Sequence, residues 1–530
     1  MKSSVRPPLL IILAAVVVAV AIALPLVYLV VRALGIGGNE FWALVSRPRN
    51  IAVFVNTAVM AATVTLFSTV IAVPLAFLTV RTDLPGRGFW LVVTTLPLAV
   101  PSYVGSFALI ATFAPRGSFL QLLLQPLGVE ELPDIYGFPG TVLAVTLFTY
   151  PYLLLSVRSA LQGIDPDLEE AGRSLGYSGQ ETFFKVVLPQ MKPSMIAGGL
   201  LVALYSLRDF GTPSLMRFDV FTRVIFMQYK ASFNRNSAAV LSLMLVTLVL
   251  LILWLEYRVR SRGAYYTRGS ASLRPLKVIK LRMWKWPAVG FCLLVGSCGV
   301  FLPIGVALFW LMRGLNSGYS FPNLLPNILN SVTSAGLAAL CATIFALPVA
   351  ILSVRFPTKI TAIIERCSYL GFGLPGIVVA LSLVFFGANY LPFMYQTLPM
   401  LIFAYLVLFL PQSVGGIRTS LLQVNPHLEE SARSLGRTSW QTLMEISLPL
   451  VRPGLLSGAV LVFLTAIKEL PATMLLAPIG YNTLATQIWQ ATENVDFADA
   501  AASSLTMLVV SMGSTLLILS QENLTKQKVK

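Results

Sequence analysis

The sequence predicts an all-α polytopic membrane protein, with about 12 transmembrane helices in two parallel pseudo-symmetric repeats. Three observations predict it. The 530 residues are 56% hydrophobic and only 11% charged, where a soluble chain carries about 25% charged residues. The apolar residues gather in runs long enough to cross a bilayer as helices. A polar stretch, Asp165–Met195, returns 260 residues later as Asn425–Leu455 without a gap, identical at 12 of 31 positions.

The first apolar run, Leu9–Val31, follows Lys2 and Arg6. It is too long for a signal-peptide core and reads as a retained first helix. Continuous helices are then expected over 52–80, 90–113, 141–160, 196–216 and 238–256. After the basic stretch Tyr257–Trp286 come 287–312, 329–354, 369–387, 397–417, 455–477 and 500–520. Only helices and closed barrels satisfy their backbone in lipid, and runs of this length exclude strands. The chain divides into a first repeat (1–260, polar loop 161–195), a basic linker (261–286) and a second repeat (287–530, polar loop 421–455).

Charge sets the orientation. With the N-terminus inside, 27 Lys and Arg fall on inner segments and 9 on outer loops, while Arg208 and Lys468 lie within helices. Basic residues favour the cytoplasmic side, so both termini and both polar stretches face the cytoplasm. That bias accounts for the net charge of +16 without a nucleic-acid partner. Loop 217–237 runs against it, with Arg217, Arg223, Lys230 and Arg235 outside. Cys292, Cys298, Cys341 and Cys367 show no metal-ligand spacing and read as small apolar fillers. The single histidine, His427, reads as solvated.

The repeat extends beyond the polar stretches. Asn56, Pro74, Arg81 and Pro101 recur 274 residues on as Asn330, Pro348, Arg355 and Pro375. Pro151 and Arg158 recur 260 residues on as Pro411 and Arg418, which places an insertion near 114–139. An even number of helices per repeat inserts both the same way up.

Each polar stretch reads as an elbow. Asp165-Pro166 and Asn425-Pro426 start a helix with an N-cap and a proline at the first position. Gly176 and Gly436 end it as left-handed caps. Capping boxes, Ser178 with Glu181 and Thr438 with Gln441, open a second short helix, which Pro189 and Pro449 are expected to close. So local an element buries little, so a large partner is expected to pack on it.

These residues carry a resemblance. Glu170-Ala171-Gly172, Gly176 and Val186-Val187-Leu188-Pro189 resemble the signature loop of permease subunits of bacterial ABC importers; so do Glu430-Ser431-Ala432, Gly436 and Ile446-Ser447-Leu448-Pro449. Gly172 and Ser431 stand where that family usually has alanine. The resemblance covers nearly the whole chain as two fused six-helix units, and implies a type I importer with a MetI-like permease fold. It implies that the loops 161–195 and 421–455 couple to an ATPase. The coupling residues are then Glu169, Glu170, Ala171, Gly172 and Gly176, with Glu429, Glu430, Ser431, Ala432 and Gly436. The chain has no G-x-x-x-x-G-K-[ST] loop. It is therefore expected to be non-catalytic and to bind no cofactor, with ATP and Mg held by two copies of a cytoplasmic ABC ATPase. Membrane lipid and an outer substrate-binding protein complete the implied partners, in a bacterial cytoplasmic (inner) membrane.

Two charge pairs, Arg208-Asp209 and Lys468-Glu469, sit 260 residues apart in apolar surroundings. Arg208 lies 12 residues past Ile196, roughly 18 Å along a helix, which is near mid-membrane. A charge there costs about 3 kcal/mol on insertion scales, so these residues are expected to line a pathway or gate rather than face lipid. Cross-pairing of Arg208 with Glu469 and of Lys468 with Asp209 is one arrangement; a purely structural lock is the other. Leu207–Gly211, Lys468–Thr473 and Thr483–Trp489 are similar to fused permeases of ferric-iron importers. That resemblance implies Fe³⁺ as cargo, with Asp209 and Glu469 as transient oxygen ligands. Permeases for thiamine, aminoethylphosphonate and polyamines share the architecture. The outer loops 217–237, basic, and 478–499, with Glu493, Asp496 and Asp499, suit docking of a two-lobed binding protein. A secondary transporter is the rival class, but it leaves the paired elbows without a purpose. One histidine and no H-E-x-x-H or G-x-S-x-G motif make a membrane enzyme a poor fit.

Overall fold

The computed structural model describes residues 8–230, 235–262 and 278–511. Among them all regular structure is helical, apart from one isolated bridge between Thr82 and Ile279. Nine helices among the described residues are long and apolar enough to cross a membrane: Leu9–Leu34, Pro48–Arg81, Phe138–Gln162, Gly179–Arg208, Asn236–Glu256, Arg282–Asn316, Leu324–Arg355, Leu398–Gln423 and Trp440–Ala466. A bent pair, Arg87–Ala99 with Ser102–Phe113, counts as a tenth if it is taken as one broken span, and Gly376–Tyr390 and Phe497–Ser511 are shorter apolar helices. These occupy the places of the twelve expected runs; 512–520 of the last run and 263–277 of the linker lie outside the described residues.

Four expectations of continuous helix are corrected. The run 90–113 bends by 100°. Proline has no N–H to continue a helix and drives the preceding residue out of the helical region. Val100, before Pro101, is accordingly extended (φ −85°, ψ 122°), as is Leu374 (φ −79°, ψ 133°) before Pro375 in run 369–387. Runs 196–216 and 455–477 are also interrupted: their long helices stop at Arg208 and Ala466, and short helices Gly211–Leu215 and Pro471–Leu476 follow.

The chain packs as two compact units. One is built on Trp42–Ser320; the other on Phe321–Gln490 together with the N-terminal helix. That helix buries Ala15, Ala19, Ile22, Leu29 and Ala33 along one stripe. Tyr28 meets Phe386 and Tyr390 edge-on, and the Arg32 guanidinium lies 4.3 Å from the centroid of the Phe385 ring. Conversely, Arg282–Asn316 belongs with Trp42–Ser320, where Gly296 and Gly299 sit so close to Val93 and Pro97 that a methyl group would collide. Packing units and sequence repeats are thus different partitions of the chain. The insertion near 114–139 forms a short helix, Phe119–Leu124, whose Phe119 packs on Phe309 in the same unit.

Candidate functional site

The two elbows agree nearly bond for bond. Asp165 and Asn425 each accept an N–H two residues on, from Asp167 and His427, at 3.0 Å. The helices Pro166–Ser174 and Pro426–Ser434 follow. Gly176 (φ 87°) and Gly436 (φ 86°) then close Schellman turns. Tyr177 N–H donates to the Gly172 carbonyl at 3.1 Å and Gly176 N–H to that of Arg173 at 3.0 Å; Arg437 to Ala432 and Gly436 to Arg433 repeat both. Both capping boxes form: Ser178 N–H donates to Glu181 and Thr438 N–H to Gln441, each at 3.0 Å.

One expectation about the elbows fails. Pro189 and Pro449 do not close the second arm, which runs on into the membrane helix through π-turns at Phe183–Val187 and Leu443–Ser447. The extra residue in a π-turn relieves the i→i−4 ladder just where each proline ring arrives, at the second position of the helix that follows. Each elbow is therefore a rigid extension of a membrane helix.

Sequence reasoning missed what holds the elbows in place. Arg81, at the end of Pro48–Arg81, pairs with Glu169, and both side chains are buried (3% and 12% exposed). Arg355, at the end of Leu324–Arg355, pairs with Glu429 at 2.9 Å. The second clamp is richer: Ser447 Oγ donates to Glu429 at 2.9 Å, and Arg355 donates to the Val424 carbonyl at 3.3 Å. The signal was present, since Arg81 and Arg355 already stood out as repeat markers, but not their partners 88 and 74 residues away.

The other elbow residues divide by exposure. Gly172 and Ala432 are buried where the two arms meet; a methyl on Gly172 would lie 3.3 Å from Val186. Glu170, Ala171, Gly176, Glu430, Ser431 and Gly436 are exposed. So are large apolar side chains around them: Leu168, Leu175 (76%) and Phe184 on the first elbow, and Leu428, Leu435 (85%), Trp440 and Met444 on the second. Apolar groups gathered on a polar element mark an interaction surface. His427 is exposed, as expected, and its Nδ1 lies 2.9 Å from Glu430.

Arg208, Asp209, Lys468 and Glu469 lie at the helix breaks, Arg208 as the last residue of its helix and the other three beyond the helix ends. Arg208 ends its helix and Asp209 is extended (φ −67°, ψ 120°). The Asp209 carboxylate accepts from Thr212 N–H at 3.3 Å, capping the short helix, and from Ser102 Oγ at 3.0 Å, at the start of the helix after Pro101. Glu469 caps its own short helix through Ala472 N–H at 3.2 Å. Gly376, the counterpart of Ser102, lies against Glu469 so closely that a Cβ there would be 2.2 Å from Oε1. In each unit the acid thus stands where two helix N-termini converge, a site that favours negative charge. Asp209 Oδ2 is buried without a hydrogen-bond partner among the described residues. No group of three or more metal-ligating side chains occurs among them either.

The loops expected to dock a partner contain helices. In 217–237, Phe221–Lys230 is anchored through Thr222 Oγ1, which donates to the Asp209 carbonyl at 2.8 Å. Arg223 pairs with Asp219, and Arg217 lies over Tyr136. In 478–499, Leu484–Glu493 is helical, and Asp496 accepts from Tyr319 at 2.5 Å, pushing that phenol up to about 12.

A family model described as "binding-protein-dependent transport system inner membrane component" matches this chain twice, over 68–262 and 338–530. The Fe(3+)-transport system permease protein FbpB 2 of Haemophilus influenzae is 33% identical over 519 residues, 97% of this chain and 99% of that one. The ferric transport system permease protein FbpB of Actinobacillus pleuropneumoniae is 25% identical over 488 residues, covering 88% and 70%. The sulfate transport system permease protein CysT of Salmonella typhimurium is 27% identical over 235 residues, 43% of this chain and 83% of its own length.

Proposed function

The chain belongs to the family of binding-protein-dependent transport system inner membrane components, as a multi-pass inner-membrane permease, and we propose that it carries ferric iron into the cytoplasm by alternating access driven by a separate ATPase. The observation that carries this reading is the pair of like elbows. Each is rigidly capped, clamped by an arginine that is mostly out of solvent, and faces water with exposed leucines. Two such surfaces in one chain suit two copies of one cytoplasmic motor, which holds the ATP and Mg. Closure of the motor would draw the elbows together and tilt the membrane helices that continue from them, a rigid-body change of access. The excess of Lys and Arg on the elbow side supports a reading with that side, and both termini, in the cytoplasm.

Ferric iron follows from the two relatives named for it, one of them matched end to end. Arg208, Asp209, Lys468 and Glu469 are the pathway or gate residues in this reading, at breaks that leave polar backbone at membrane depth. Fe³⁺ is a hard cation suited to carboxylate oxygen; Asp209 and Glu469 would meet it only in passing, since both also cap helices. An iron-loaded two-lobed binding protein would deliver it to the far side, against the basic 217–237 and acidic 478–499 segments.

The test is uptake of radioactive ferric iron into proteoliposomes holding this chain and its ATPase, with iron-loaded binding protein and ATP supplied on the appropriate sides. The expected result is uptake that needs all three components and ATP. Uptake by this chain alone, driven by an ion gradient, would establish a secondary transporter instead.

A further inference from the structure

At the end opposite each elbow clamp, the same long helix makes a second, equally repeated attachment. In the first repeat, Asn56 Nδ2 donates to the Asp219 carbonyl at 3.1 Å, and Thr57 Oγ1 accepts from Phe221 N–H at 3.1 Å. In the second, Asn330 Nδ2 donates to the Asn482 carbonyl at 2.9 Å, and Ser331 Oγ accepts from Leu484 N–H at 2.8 Å. Phe221 and Leu484 are the first residues of the helices Phe221–Lys230 and Leu484–Glu493. Each hydroxyl therefore satisfies an N-terminal amide that its own helix leaves open, and each asparagine holds the residue two positions earlier. Thr57 and Ser331 also donate to carbonyls four residues back, of Val53 and Asn327, which fixes the hydroxyl's direction.

Asn56 to Arg81 and Asn330 to Arg355 are both 25 residues, so anchor and clamp stand roughly 38 Å apart on one helix, more than the hydrocarbon thickness. The intervening helix is unbroken in both repeats, with its proline at the same place, Pro74 and Pro348. The segments joined at the far end follow the helix breaks at Asp209 and Glu469. The segments joined at the near end are the elbows.

We propose that Asn56–Thr57 and Asn330–Ser331 are positioning residues that tie each outer helix to a membrane-spanning strut, whose inner end grips the elbow. Through them a binding protein seated on the loops that flank these largely buried helices, where Arg217, Lys230, Gly480 and Glu493 are exposed, acts on the ATPase. This rests on the importer reading above, which says which partner lies at which end. The strut is a physical connection between the two sites, present once in each unit. It can bias an inward–outward equilibrium only while its outer attachment holds. The attachments differ in one respect: Tyr481 Oη also donates to the Asn330 carbonyl, at 2.7 Å, where the first repeat has Phe218. The second anchor should therefore survive loss of its asparagine better than the first.

The experiment measures ATP hydrolysis by the permease–ATPase complex in nanodiscs, titrated with iron-loaded binding protein. Compared with the unaltered complex are N56A/N330A and, as a variant that keeps side-chain shape, T57V with S331A. The proposal expects basal hydrolysis to be preserved and maximal stimulation at saturating binding protein to fall roughly tenfold, with little change in the half-saturating concentration. N56A alone should account for more of the loss than N330A. Unchanged maximal stimulation in both variants overturns the proposal. So does a loss seen only as a raised half-saturating concentration, because that assigns the anchors to docking alone. If the unaltered complex hydrolyses ATP without any response to binding protein, the importer reading itself fails, and the strut with it.

Discussion

The elbows and the helix breaks are both repeated in this chain, yet they repeat differently. Between the elbows even the donor–acceptor pairs are kept, at distances within about 0.1 Å of one another. Between the breaks only the role is kept. Asp209 takes a hydrogen bond from Ser102, whereas the longer Glu469 fills the space that Gly376 leaves. Arginine precedes the acid in one and lysine in the other. A part that meets the same partner twice is held to one geometry. At the breaks only a negative group at two converging helix starts is kept. On the proposed function, this difference separates the surface facing the motor from the surface facing the cargo.

The largest effect that would test this equivalence is at the clamps. Arg81→Ala or Arg355→Ala strands a mostly buried glutamate, which costs about 3 kcal/mol or more. Arg81→Ala should cost more, because Glu429 keeps the Ser447 hydroxyl while the first repeat has Val187 at that place. Unfolding midpoints of the detergent-purified proteins give the order, and the reverse order would break the comparison. Next, Gly376→Ala drives a methyl into Glu469, an overpacking worth about 1–3 kcal/mol. Adding Glu469→Asp should restore stability by recreating the shorter acid of the first repeat. If the double variant is no better than Gly376→Ala, the two breaks are not interchangeable solutions.

Smaller effects bear on the elbows. Gly176→Ala and Gly436→Ala each place a side chain at positive φ in open space, a cost of about 1 kcal/mol that should be equal in the two. The smallest effect is a pH dependence confined to one elbow. Glu181 holds the Ser178 amide as a carboxylate, whereas Gln441 holds the Thr438 amide as a neutral amide. The Ser178 amide, with the Ser178 hydroxyl and Lys185, holds the Glu181 carboxyl below the usual glutamate range, so acidification to below that range removes the acceptor from the first box only. Amide hydrogen exchange should then quicken at Ser178 and, after correction for its intrinsic pH dependence, stay unchanged at Thr438.

Much of the elbow was legible because its interactions are local. Caps at i+2 and i+3 and a glycine ending a helix can be recognised by spacing alone, and Asp165, Ser178, Gly176 and their counterparts stand as expected. The all-helical class and the places of the apolar runs were legible from hydropathy for the same reason, although among the described residues only nine of the twelve runs hold a single helix long enough to cross. What failed depends on pairs distant in sequence or on how a helix absorbs a proline. Pro101 and Pro375 interrupt helices, whereas Pro189 and Pro449 are carried by upstream π-turns; composition does not separate the two outcomes. The clamps join residues 88 and 74 apart, and nothing in a single sequence tells Arg81 to find Glu169 rather than solvent. The charge pairs lie at helix breaks rather than within continuous helices, since an apolar run hides a break that only the capping of the next helix reveals.

The central claim is that two elbows grip a motor this chain does not contain. Native mass spectrometry of the complex purified from its own membrane tests it most directly, with and without Leu175→Asp and Leu435→Asp, substitutions at side chains already in water. The account predicts two ATPase copies per unaltered chain and none on the doubly substituted one, which should still unfold at the same temperature. Two copies retained on the substituted chain, or none on the unaltered one, would contradict it.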